Sequence, residues 1–287
     1  MTQRPFRFGV INEAMHRREQ WLDHARCVEQ LGYDTFLLRD HFISDFFGEQ
    51  YAPLVALTAA ALSTRTLRVG TLVIDNDYRH PVMLAKEAAT LDVMSGGRLE
   101  LGIGAGWQRE EYEANGIAYD GRGKLLDETL EVCQTLWRDE SARHSGTHYR
   151  FEKIHLNPKP LHPCGVPFWV SGTLNPNVLQ RIVKYGSGWI PWGDDGMNPI
   201  EGLKKIKDAL VKAGRSPEGF EATSYLQVAY GLDKKIDVEK TMALAPTMVA
   251  GGLTDLRITL ELPKSAAAVE DLLTPLVQAF RRNVGRR

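Results

Sequence analysis

Eight short apolar runs, each followed by a stretch with helical spacing, recur along the chain. A strand that returns through a helix re-enters its sheet in the same direction, so this alternation implies a parallel sheet. Eight such units in 287 residues favour an α/β fold of the closed kind, a (β/α)8 TIM barrel, over an open sheet. The strands read at 6–11, 35–38, 67–74, 99–103, 168–171, 188–191, 225–230 and 256–262. Between them, Trp21, Leu22, Ala25, Val28 and Leu31 form a helical stripe closed by Gly32. Leu126, Thr129, Leu130, Cys133, Leu136 and Trp137 form another. Further helices read at 53–62, 199–213 and 267–281. Residues 1–287 are expected to form one domain, since no linker or low-complexity segment divides them. The main interruption is 143–165, an insertion between strands four and five, too long for an ordinary connection. Its HYRF and IHL runs suggest a small hairpin or excursion near the barrel mouth.

The segment 79–112, RHPVMLAKEAATLDVMSGGRLELGIGAGWQREEY, shows one unit in full. Pro81 suits the first helical position, where its missing N–H costs nothing. Leu84, Ala88 and Leu91 repeat at helical spacing, and Gly96-Gly97 ends the run. Leu99, Leu101 and Ile103 alternate on a strand whose exit carries Gly102, Gly104 and Gly106. Bare backbone there suits a close approach by a ligand, or else only softens a strand end. A dinucleotide fingerprint fits poorly, because Trp107 stands where its third glycine belongs and the strand is not the first of the chain.

Lys plus Arg number 35 against 36 Asp plus Glu, so a net charge of −1 gives no pull toward nucleic acid. The three cysteines, Cys27, Cys133 and Cys164, are scattered without metal-ligand spacing and read as reduced core fillers. No run approaches membrane-spanning length and the N-terminus lacks an apolar signal core, so a cytoplasmic protein with no membrane partner is expected.

In such barrels the chemistry stands at the C-terminal ends of the strands. Those ends carry Asn12 and Glu13; Arg39, Asp40 and His41; Asp75, Asn76 and Asp77; Gly104, Ala105, Gly106 and Trp107; Ser171, Gly172 and Thr173; and Trp192. A mouth polar on one side and rich in backbone and indole on the other suits a flat aromatic ligand with a phosphate tail. Backbone N–H groups at Gly172 and Thr173, ahead of the helix that starts at Asn175-Pro176, would hold the phosphate. The DND run at 75–77 lacks further acidic ligands, and no metal is expected.

Three motifs in register, LGYDTFLLRDHF, RVGTLVIDNDYRHP and ATLDVMSGGRLELGIGAGWQREEY, resemble the luciferase-like monooxygenase superfamily, and within it the branch that uses the deazaflavin coenzyme F420. The resemblance is dense over the first 140 residues, continues through PFWVSGT and YGSGWI, and fades after about residue 200. It implies that Asp40 lies against the deazaflavin and that His41 acts as acid/base or orients the substrate. It implies a non-proline cis peptide around Thr71, Leu72 and Val73, behind the ring. It assigns the Gly104-Ala105-Gly106 backbone, with Trp107 beside it, and Gly172-Thr173 to the ribityl and phosphate part.

The chain also departs from relatives that act on a sugar phosphate. Trp107 replaces their glutamate after the fourth strand, and their phosphate-binding lysine is not evident after strand six. Trp107, Trp189 and Trp192 point instead to a small apolar or aromatic substrate. The expected activity is hydride transfer between F420 and that substrate. The alternatives are an FMN-dependent monooxygenase fed by a separate flavin reductase, and a non-catalytic flavin-binding protein of the same fold. A homodimer follows from the resemblance alone. Several residues have plainer readings. Asp40 could cap its loop or pair with Arg39, Arg79 and His80 could only orient the next helix, and Trp21 and Trp137 read as core.

Overall fold

The computed structural model describes residues 6–75 and 78–285; Asn76 and Asp77 lie outside them. Parallel strands β1 (Arg7–Asn12), β2 (Thr35–Leu38), β3 (Arg68–Thr71), β4 (Ile74–Asp75), β5 (Leu99–Gly104), β8 (Phe168–Gly172), β9 (Gly186–Pro191), β10 (Glu221–Tyr225) and β11 (Asp255–Leu260) close on themselves. β3 and β4 are two pieces of one staff, split at a cis Leu72–Val73 peptide, and both pair with β5. Pairing of β1 with β11 completes the eight-staved TIM barrel.

The expected helices are present as α1 (Arg18–Leu31), α2 (Pro53–Ser63), α3 (Pro81–Ser95), α5 (Arg122–Arg138), α6 (Pro176–Tyr185), α7 (Pro199–Lys212) and α10 (Ala266–Val284), with the short α8 (Val238–Met242) and α9 (Ala245–Ala250) ahead of the last. Their ends follow local chemistry. Pro81 opens α3 while the His80 side chain accepts from Val82 N–H, and Gly96 closes it with φ 68°. Gly32 closes α1 in the same left-handed conformation. Trp21 and Trp137 are core residues, as their spacing indicates, and so are Cys27 and Cys133; Cys164 is exposed and fills no core.

Three expectations change. The strand read at 225–230 lies at Glu221–Tyr225 instead. Its Glu221 and Thr223 bond to groups inside the barrel, so its ladder carries no apolar alternation, whereas the apolar residues Leu226 and Val228 beyond it pack on the core outside the sheet. A short helix, α4 (Arg109–Ala114), follows the glycine exit unannounced. The insertion forms a hairpin of β6 (Ala142–Ser145) and β7 (Arg150–Ile154) that packs against α5. There Glu128 accepts from the backbone of His148 and Tyr149. Among the described residues, none from 142–165 lines the mouth cavity.

The glycine exit also has a partly different cause. Leu99, Leu101 and Ile103 pack with the helices, leaving Glu100, Gly102 and Gly104 to face the axis. A Cβ on Gly102 would stand 2.1 Å from the Thr71 carbonyl oxygen and 2.9 Å from Ile190 Cδ1. The backbone that presses on Gly102 is the barrel's own. Gly188 plays the same part for the Trp169 ring, which a Cβ would meet at 2.6 Å.

Two stability predictions follow from this packing. Gly102→Ala should lose about 3 kcal/mol, because the clash is with backbone that cannot rotate away. Gly104→Ala, whose Cβ would meet a Val73 methyl at 3.0 Å, should lose less; urea unfolding of both variants compares them. The second concerns His16 and His24, a buried pair with ring centroids 4.4 Å apart. Burial lowers the pKa of both; Lys264 adds to the effect at His16, and His16 adds to it at His24. The unfolded chain therefore binds more protons below about pH 6.5, so stability is full above that pH and declines as pH falls through it. Urea midpoints at pH 7.5 and 5.5 should show the decline, and His24→Gln should flatten it.

Candidate active site

A cavity of about 680 Å³ opens at the C-terminal ends of the strands. Leu72, Val73, Ile190 and Tyr225 line it and belong to a small apolar cluster with Ile11, Leu37 and Trp169 beneath. His41, Leu72, Val73, Gly104, Ala105, Gly106, Trp107, Gly172 and Thr173 all line the cavity. Asp40 and Thr71 do not. Alternation after β2 turns Asp40 away from the axis, and both its oxygens are taken: Oδ1 by Arg79 Nη2 at 2.9 Å, Oδ2 by Arg79 Nη1 and by the Asp75 N–H. Its partner is thus Arg79; Arg39 pairs with Glu13, at 2.6 Å. The Thr71 hydroxyl is buried and donates to the Gly102 carbonyl at 2.7 Å, where it ties β3 to β5.

Aromatic rings wall the space around His41. Its imidazole stacks on Phe47 at 4.9 Å, and Phe46, Phe47 and Trp192 all approach Trp107, whose ring is partly exposed. Arg39 lies over the same Phe47 ring at 4.2 Å. Trp189 takes no part. It is buried behind β9, where its Nε1 donates to the Gly172 carbonyl and its ring fills the space left by Gly202.

Two features escaped the sequence reading. Glu111, one turn into α4 and wholly buried, places Oε2 3.0 Å from His41 Nδ1, within hydrogen-bond distance. Tyr78 donates to it at 2.9 Å, and burial with Asp75 and Glu111 alongside pushes the Tyr78 phenol well above its ordinary range. The EEY that ends the third motif was the available signal, but nothing in it says which glutamate turns inward. His41, Asp75 and Glu111 offer ligand atoms within 4.8 Å of one another, although hydrogen-bond donors occupy the Glu111 oxygens.

The second feature is the start of α5. Asn175 caps α6 with its own side chain, accepting from Asn177 and Val178 N–H, so that terminus is already satisfied. Gly121, at the start of α5, has no side-chain cap, and Gly121, Arg122, Gly123 and Lys124 all line the cavity. A helix start without a side-chain cap, beside Arg122 and Lys124, suits an anion better than the α6 terminus does.

Residues 4–258 match the family model of the luciferase-like monooxygenases. The chain belongs to that family. An uncharacterized protein of Mycobacterium tuberculosis is 30% identical over 209 residues, covering 67% of this chain and 73% of its own. An F420-dependent glucose-6-phosphate dehydrogenase of Nakamurella multipartita is 28% identical over 285 residues, covering 93% and 83%. Among solved structures, an F420-dependent secondary alcohol dehydrogenase bound to an F420-acetone adduct superposes with a TM-score of 0.81 at 17% identity, over 96% of this chain and 99% of that one. The oxygenating constituent of 3,6-diketocamphane monooxygenase from Pseudomonas putida, a type II Baeyer-Villiger enzyme bound to FMN, gives 0.78 at 15%, over 98% and 99%. At those identities the two structures attest the fold. Among the described residues, no helix of this luciferase-like protein is long and apolar enough to cross a membrane.

Asp40→Asn tests the structural placing of Asp40. It should destabilise the ligand-free protein by roughly 2–3 kcal/mol, because the partly buried Arg79 loses its counter-charge. Urea unfolding without any ligand measures this; unchanged stability would return Asp40 to a ligand-binding role.

Proposed function

We propose that this member of the family, an oxidoreductase, uses F420 to exchange a hydride with a small apolar or aromatic substrate. The observation that carries the reading is one cavity in which the His41 imidazole stands among aromatic rings and in which the uncapped start of α5 also opens. The residues fit the cofactor's parts. A volume of about 680 Å³ is in the range of cofactor pockets. Leu72, Val73 and Ile190 offer a flat ring apolar contact, and the 104–106 backbone passes along the wall. The Arg122 and Gly123 N–H groups, with Lys124, would hold the phosphate, while the Asn175-capped α6 would leave Gly172 and Thr173 as wall. When bound, the deazaflavin supplies a hydride donor or acceptor at C5. His41 takes or gives the accompanying proton at a substrate oxygen. Phe46, Phe47, Trp107 and Trp192 exclude water and hold the substrate's apolar body. The relatives named for F420 support this choice of cofactor.

Titration of the purified protein with F420 and with FMN, followed by ring fluorescence and absorption, tests the reading. F420 should bind and FMN should bind more weakly. Tight FMN binding with no response to F420 would overturn it in favour of the flavin-dependent monooxygenase. In the F420-loaded protein, His41→Ala should lower turnover by roughly 10²- to 10⁴-fold while changing cofactor affinity far less. Unchanged turnover would remove His41 from the chemistry.

A further inference from the structure

We infer that Glu111 fixes His41 as its Nδ1–H tautomer, which makes Nε2 the one atom of the ring that exchanges a proton with the cavity. The hydrogen bonds around Glu111 carry the assignment. Oε1 accepts from the backbone N–H groups of Phe42 at 2.9 Å and Ile43 at 3.2 Å. Oε2 accepts from the Tyr78 hydroxyl at 2.9 Å. The Gln108 carboxamide, turned with its nitrogen to the carboxylate, lies 3.0 and 3.1 Å from the two oxygens. Every neighbour is a donor, which suits a carboxylate that only accepts. The fifth contact, His41 Nδ1 at 3.0 Å, is then also a donor. Asp75 Oδ2, 3.7 Å from the same nitrogen, favours the same arrangement. Stacking on Phe47 holds the ring plane. The fixed Nδ1–H leaves the Nε2 lone pair for the cavity that His41 lines.

The assignment defines the proton step. If a substrate alcohol gives its hydride, with both electrons, to the deazaflavin, its hydroxyl proton goes to His41 Nε2. The resulting imidazolium keeps Nδ1–H on Glu111, and no proton passes to the carboxylate. In the reverse direction Nε2 returns the proton to the oxygen. Glu111 touches neither substrate nor cofactor; it is a positioning residue whose charge offsets the one His41 acquires. Only the use made of Nε2 rests on the proposed function; the tautomer does not.

A long-range 1H–15N correlation spectrum of the uniformly 15N-labelled protein, without cofactor, reads the tautomer directly. The His41 resonances are those that vanish in His41→Gln. In the neutral ring Nδ1 should carry the proton and Nε2 should not. Tyr78→Phe, which removes one donor and leaves the carboxylate, should keep that pattern. Glu111→Gln, whose carboxamide can donate as well as accept, should abolish the single tautomer. A wild-type ring protonated at Nε2, or an unchanged pattern in folded Glu111→Gln, would overturn the inference. Should Glu111→Gln not fold, the wild-type and Tyr78→Phe spectra decide. Failure of F420 to bind would sink the functional reading and leave the tautomer standing, so the two failures are separable.

Discussion

The site depends on a layer of buried charge beneath it. Arg257, wholly buried on β11, reaches Asp255 at 2.7 Å and Glu100 at 2.9 Å. Arg7 on β1 joins Asp255 to Glu221, and Arg68 on β3 returns to Glu100 at 2.6 Å. Three cations meet three carboxylates across five staves. Burial opposes the charge on Asp255, but Arg257 and Arg7 outweigh it and hold its carboxyl below the usual range. Burial likewise opposes the charge on Arg257, and Asp255 and Glu100 outweigh it. Such a network adds little net stability over an apolar core, yet removing one member strands its partner. Its value here is register. A slip of one residue would turn these side chains out among the apolar helices and bring Leu99, Leu101 and Ile103 to the axis.

That layer sets the height of everything above it. Trp169 lies between Arg7 and Arg257, with ring-to-cation distances of 5.5 and 5.3 Å. Gly188 gives its indole room, and the ring joins Ile11, Leu37, Leu72 and Ile190 as a cap over the charges. The cavity begins where this cap ends. The barrel axis is therefore filled from below by ion pairs, then by a thin apolar plug, and only the top remains open to a ligand. Gly102 belongs to the plug, while Gly104 and Gly106 belong to the wall above it.

This layering explains what the sequence discloses. The alternation of staves and helices, the ends of α1 and α3, and most of the cavity wall are legible, because they rest on local periodicity, on Pro and Gly chemistry, and on the rule that strand ends carry function. The inward partners are not legible. Whether Asp40 meets Arg39, Arg79 or a ligand depends on which side chains turn toward the axis, and Glu111 is brought under His41 by a short helix with no apolar stripe. β10 is misplaced for the same reason, since a strand whose inward residues make ion pairs and polar bonds lacks the pattern that marks a strand. The cap of α6 by Asn175 was visible in principle, because Asn before Pro is an N-cap signal. A terminus capped in this way is a poorer anion site than the start of α5 at Gly121, which has no side-chain cap.

Trp107 stands where these features meet. Its backbone continues the glycine wall, its ring is one side of the aromatic enclosure, and Gln108, next in the chain, faces the Glu111 carboxylate. A single turn thus carries the wall, the enclosure and the support of His41. A glutamate at position 107 would bring a second carboxylate toward the same imidazole and take an indole out of the wall. The chain keeps its acid behind His41 and its aromatic surface in front.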